Sequence, residues 1–122
     1  MIYLAAPYRH VNPEIVQDRV NKAALCANLL ARRGDLVYCP TLHGHGIDQA
    51  FAGGTPIPDD YWLEHGIQML EMCDLMYILM LPGWDKSQGI MGELAYCLKA
   101  QKGVLYLDEN YRFVEPELSR EQ

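Results

Sequence analysis

The chain has 122 residues, half of them hydrophobic and 21% charged, and a formal net charge of −6 from 16 acidic against 10 basic side chains. That length suits a single domain, residues 1–122, with one core, and the composition excludes a disordered chain. The acidic balance argues against a nucleic-acid polymer as partner, while leaving room for a single nucleotide, whose phosphate needs only one local pocket.

Ile2-Tyr3-Leu4-Ala5-Ala6 is a continuous apolar run ended by Pro7, the pattern of a central strand covered on both faces. Asn12-Pro13-Glu14 supplies a cap and a first-turn proline for a helix whose buried stripe is Val16, Val20, Ala23, Ala27 and Leu30, and Gly34 stops it. Leu36 to Cys39 forms the second strand. Residues 41–58 carry Gly44, Gly46, Gly53, Gly54, Pro56 and Pro58, so a long lid or binding loop is expected there. Asp59 or Asp60 caps the next helix, with Leu63, Ile67 and Leu70 as its buried side. Leu75 to Leu81 is the third strand, a loop of residues 83–89 follows, and a helix runs over about 89–102. Val104 to Leu107 makes the fourth strand. The acidic tail from Asp108 onward has little periodicity, although Tyr111, Phe113 and Val114 are able to dock on the domain or on a partner.

Strands alternating with helices imply an α/β fold with a parallel sheet. An order of 2-1-3-4 places the reversal between the first and third strands, and ligands then bind outside their carboxyl ends. No run reaches membrane-spanning length and the amino terminus lacks the parts of a signal peptide, so a cytoplasmic protein with no membrane partner is expected. Cys26, Cys39, Cys73 and Cys97 form no CxxC pair and read as buried reduced thiols. Six methionines and eight tyrosines favour self-association.

Glu93 is the leading candidate for chemistry. It sits about one turn inside the helix after the third strand, where free N–H groups and the dipole favour an anion, keeping the carboxylate ionised or a phosphate beside it. Gly89 and Gly92 leave room for a ligand or a neighbouring backbone. Such a carboxylate can attack an anomeric carbon; the competing reading is an ordinary surface glutamate. Ser87 either donates to a phosphate or caps the helix, and Asp85 either binds a ligand hydroxyl or base or stays in water. Tyr8, Arg9 and His10 follow the first strand, where a tyrosine hydroxyl can hold a carboxylate in line and Arg9 or His10 can meet a phosphate or a base edge. Trp84 either stacks on a base or anchors its loop. Asp74 stands at the amino end of its strand, the wrong end for crevice chemistry. His43-x-His45-x-x-Asp48 lacks a convincing third metal ligand, so His43 and His45 are expected to face substrate, with no metal and no cofactor. GxGxxG and GxxxxGK[ST] are both absent, which argues against dinucleotide and nucleoside-triphosphate enzymes.

Ile2-Tyr3-Leu4-Ala5-Ala6-Pro7-Tyr8, Cys73-Asp74 before an apolar strand, and Ser87-x-Gly89-x-x-x-Glu93 together resemble the nucleoside 2-deoxyribosyltransferase superfamily, which includes 2′-deoxynucleoside 5′-phosphate N-hydrolases. Over most of the chain the likeness is to a bacterial and phage branch with a Gly-Trp-x-x-Ser-x-Gly signature, here Gly83 to Gly89. The resemblance implies a flavodoxin-like three-layer sandwich, a homodimer or larger homo-oligomer, and a small nucleotide or nucleoside as ligand. It makes Glu93 the nucleophile at C1′, Tyr8 its positioning group and Asp74 part of the catalytic site. Ser87 stands where transferases carry an aspartate and where the hydrolase branch carries a phosphate-binding serine, which favours hydrolysis of a deoxynucleoside monophosphate. Ala6 departs from the usual glycine. Base-to-base deoxyribosyl transfer and a non-catalytic nucleotide-binding or assembly role are the alternatives.

Overall fold

The computed structural model describes residues 1–51 and 54–119. In chain order these form β1 (Ile2–Ala5), α1 (Pro13–Arg32), β2 (Val37–Tyr38), α2 (Pro40–Gln49), α3 (Asp59–Glu71), β3 (Leu75–Leu79), a 3-10 turn at Trp84–Lys86, α4 (Gln88–Ala100), β4 (Gly103–Leu107) and β5 (Phe113–Val114). The sheet order is β2-β1-β3-β4-β5. β1 through β4 are parallel neighbours, with Ile2 opposite Val37 and Leu75, and Leu75 opposite Gly103.

Period-two alternation along the strands divides the core between the two faces of the sheet. Ile2, Leu4, Tyr77, Leu79 and Leu107 pack with Ala23, Cys26 and Leu30 of α1. Tyr3, Ala5, Met76 and Ile78 pack with Leu70 of α3 and with Ile90 and Cys97 of α4. The result is an α/β domain of three layers, a mixed sheet between helices. All four cysteines are buried free thiols. Among the described residues no helix is long and apolar enough to cross a membrane.

The sheet is mixed rather than wholly parallel because the tail returns. Asp108 organises the reversal, its Oδ1 accepting from the amides of Asn110 and Arg112. Phe113 and Val114 then pair antiparallel with Leu107 and Tyr106, and Phe113 packs edge-on against Tyr77. This docking of the tail on its own domain occupies one of the two partners open to Tyr111, Phe113 and Val114; residues 120–122 lie outside the described part.

The larger departure lies within 41–58. Instead of a continuous loop, Pro40–Gln49 is helical, with Pro40 in the first turn. Glycine costs a helix about 1 kcal/mol relative to alanine, yet Gly44 is where α2 meets α3: a Cβ there would lie 3.8 Å from the Trp62 ring. Tertiary packing overrides the local preference. Residues 54–58 are irregular, and Ala52 and Gly53 of the expected loop lie outside the described residues. Pro58, rather than either aspartate, occupies the N-cap of α3. Leu63 is 42% exposed instead of buried, and its side chain serves a cavity described next.

Candidate active site

Between the carboxyl ends of β1 and β3, roofed by α2 and α3, is a cavity of about 660 Å³. The segment after β1 contributes Ala6 to Arg9, the start of α4 contributes Lys86 to Ile90 and Glu93, and the roof contributes Asp48, Trp62, Leu63 and His65. This is the sheet's reversal point, where parallel α/β sheets bind ligands.

Glu93 is 7% exposed and lines this cavity. Ser87 caps α4, its Oγ accepting from the Ile90 amide at 3.2 Å, and so starts the helix that carries the carboxyl group inward. Gly92 allows α3 to come close, since a Cβ there would lie 3.0 Å from Leu63 Cδ1. The partner of Glu93 is Tyr3, wholly buried on β1, whose hydroxyl donates a hydrogen bond to Oε2. Burial pushes Glu93 up to about 7, with the Tyr3 hydrogen bond pulling the other way. The helix terminus therefore does not hold this carboxyl fully ionised; desolvation outweighs the dipole. Burial and the facing carboxylate together hold the Tyr3 phenol far above its ordinary range, so Tyr3 remains a donor.

Tyr8 lines the same cavity as Glu93, and the hydrogen bond to the carboxyl comes from Tyr3. The Tyr8 hydroxyl is 2.9 Å from His45 Nδ1 on α2. Burial, followed by the Asp48 charge, raises the Tyr8 phenol while Arg9 opposes them. Arg9 lines the rim in an ion pair with Asp59 at 2.7 Å, exposed enough to break easily. Gly89 lines the cavity, and a Cβ there would make ordinary contact with Ser87 Oγ at 3.9 Å.

Other expected site residues go elsewhere. Asp74 lies at the amino ends of the strands, its side chain 78% exposed and paired with the terminal amine of Met1 at 2.5 Å. Asp74 is thus placed where the end-of-strand argument puts it, and it is not among the residues that line the cavity. Trp84 is buried against Tyr106 and donates its indole N–H to the Glu117 carbonyl, contacts that anchor its loop. Asp85 accepts from the Ser119 amide and hydroxyl, which accounts for a carboxylate expected to meet substrate. His10 accepts from the Asn12 amide and lines a second hollow with Val11 and Val16, which shares Tyr8 and Arg9 with the main cavity. His43 is not among the residues lining the cavity and stacks on His65, with rings 5.1 Å apart and 6° from parallel; His65 is the histidine of this pair that lines the wall.

Tyr3, Arg19, Trp62 and His65 are the site residues that sequence reasoning passed over. Arg19 is 5% exposed and donates to the carbonyls of Arg9 at 2.8 Å and Pro82 at 2.9 Å, joining the segments after β1 and β3 beneath the cavity. Gly83 accommodates it: at φ +91°, a Cβ would lie 2.7 Å from the guanidinium. A signal for Arg19 existed, because it falls three residues after Val16 and four before Ala23, on the buried stripe.

The chemistry open to this arrangement is that of one buried carboxyl, half ionised near neutrality, oriented by a phenol and facing a nucleotide-sized space. Residues 1–109 match a family model described as a domain of unknown function. No curated protein matches the chain.

Proposed function

The chain belongs to the DUF1937 family, and from that premise, which names no reaction, we propose that it hydrolyses the N-glycosidic bond of a 2′-deoxynucleoside 5′-monophosphate. The single observation that carries this reading is Glu93, buried and held by Tyr3 at the wall of a cavity of about 660 Å³ at the sheet's reversal point. The parallel order 2-1-3-4 supports the flavodoxin-like version of the fold.

In the proposed reaction, the ionised Glu93 oxygen not held by Tyr3 attacks C1′ as the C1′–N bond breaks, its electron pair leaving with the base. Water then cleaves the glycosyl ester at C1′, giving deoxyribose 5-phosphate; the proton it releases balances the one taken up by the base. Tyr3 keeps the carboxylate aimed, and its donated hydrogen bond favours the charged form. Lys86, Arg9 and the free amides at the start of α4 are the groups near enough to the cavity to meet a phosphate.

A panel of deoxynucleoside monophosphates, with product detection, tests the reaction. Turnover by the wild type and none by Glu93→Ala supports it; equal rates overturn it. A free base added to the assay separates hydrolysis from transfer by the appearance of a new nucleoside. Because the nucleophile must be ionised, the rate rises with pH through about 7 and levels above it. Tyr3→Phe removes the contact that lowers Glu93, so the midpoint of that profile moves to higher pH and the plateau rate falls by about tenfold. A midpoint unchanged by Tyr3→Phe would mean that the phenol does not set the state of the carboxyl.

A further inference from the structure

Most polar groups around the cavity already have partners within the protein. Thr41 donates to the Ala6 carbonyl, Tyr8 meets His45, Arg9 meets Asp59, and Ser87 caps α4. Two do not. Asp48 Oδ1 on α2 and Trp62 Nε1 on α3 are buried, and neither makes a hydrogen bond among the described residues. Both residues line the cavity. They also share one stretch of wall, since the Trp62 ring rests against α2 at Gly44 and Asp48 is one helical turn further along that helix face. Buried polar atoms are normally satisfied, and an exception calls for an explanation. Here an acceptor and a donor on one stretch of the cavity's wall each lack a protein partner among the described residues.

We infer that Asp48 and Trp62 form the base-reading edge of this cavity and select a nucleobase carrying an exocyclic amine next to a ring acceptor. The inference rests on the nucleotide reading above and extends it to the class of base. Asp48 offers only acceptors while ionised, so it suits an amine with two hydrogens; the Trp62 indole offers only a donor, so it suits a ring nitrogen or carbonyl oxygen. Cytosine presents such a pair at N4 and N3, and adenine at N6 and N1. Uracil and hypoxanthine present a carbonyl where the amine stood, and a carbonyl oxygen turned toward a carboxylate is repelled and leaves both groups unpaired.

The test is binding of two matched pairs, dCMP against dUMP and dAMP against dIMP, to the full-length protein and to its Glu93→Gln variant, which prevents turnover during titration. The amine member of each pair is expected to bind at least about tenfold more tightly, the scale of one hydrogen bond to a charged group. Asp48→Asn, whose carboxamide both donates and accepts, is expected to bring the members of each pair to within about threefold. Trp62→Phe removes the donor and keeps a ring; it is expected to weaken both members while the preference for the amine survives.

Equal binding of the pair members by Glu93→Gln overturns the inference, as does a preference that Asp48→Asn leaves intact. The two readings fail separately. Hydrolysis without discrimination between dCMP and dUMP keeps the reaction and overturns the base edge. Amine-selective binding with no turnover keeps the base edge and overturns the reaction. No binding of any of the four at millimolar concentration overturns both.

Discussion

Glu93→Gln is expected to lose at least about a thousandfold in deoxynucleotide hydrolysis and, in the same protein, to gain about 3 kcal/mol of stability at pH 8. The gain follows from the raised carboxyl. Folding takes Glu93 from its ordinary 4.5 to about 7, so between those values the folded state binds more protons than the unfolded one. The sign is therefore fixed: the Glu93 contribution is fully present below about 4.5, is lost as pH rises, and levels off above about 7. A glutamine keeps the shape, its carbonyl still accepts from Tyr3, and it carries no charge to desolvate. Urea denaturation at several pH values measures the difference. The two proteins should converge near pH 4 and separate toward pH 8, and curves that stay parallel throughout would refute the burial argument. A group that destabilises its own fold and is nonetheless kept charged or half charged is a pattern found at functional sites, where activity is retained at a cost in stability.

Gly66→Ala is the second change with a large expected effect. In an ordinary helix this substitution stabilises by about 1 kcal/mol. At Gly66 of α3, however, the new Cβ would lie 2.7 Å from the Tyr3 hydroxyl and 2.8 Å from Glu93 Oε2. Both groups are buried, so they must shift together, and a displacement of about 1 Å at a reacting group costs about a hundredfold in rate. Overpacking of about 1–3 kcal/mol offsets the helical gain, so the net change in stability is a loss of about 0–2 kcal/mol. Gly46→Ala in α2 is the control, because nothing lies within 4 Å of the position its Cβ would take. That variant should keep full activity and gain up to about 1 kcal/mol. If Gly66→Ala matched the control in rate, the contact between α3 and the carboxyl would have no part in positioning it.

The parts of this molecule legible in the sequence are those set by local pattern. β1, β3 and β4 are continuous apolar runs, α1 begins at an asparagine and proline and is followed by Gly34 at φ +92°, and each appears where expected within a residue or two. Glu93 was legible for the same reason, since the start of a helix after a central strand is a local signal. What the sequence hid depends on contacts between distant residues. Tyr3 reads as one more apolar position in a buried strand; its role appears only because Glu93, 90 residues away, folds onto it. The glycines of α2 read as helix breakers until Trp62 arrives to occupy the space that Gly44 leaves. Trp84 and Asp85 looked like ligand contacts because the chain segment that meets them lies more than 30 residues downstream, in the tail. Asp74 shows the reverse case: the local argument alone put it at the amino end of its strand, and it is not among the cavity-lining residues.

The Trp84 turn that leads into the Ser87 cap is tied to the tail, the indole donating to the Glu117 carbonyl and Asp85 accepting from Ser119. One wall of the cavity is therefore moored by a segment more than 30 residues downstream, and lifting that segment off the domain would loosen the start of the helix that carries Glu93.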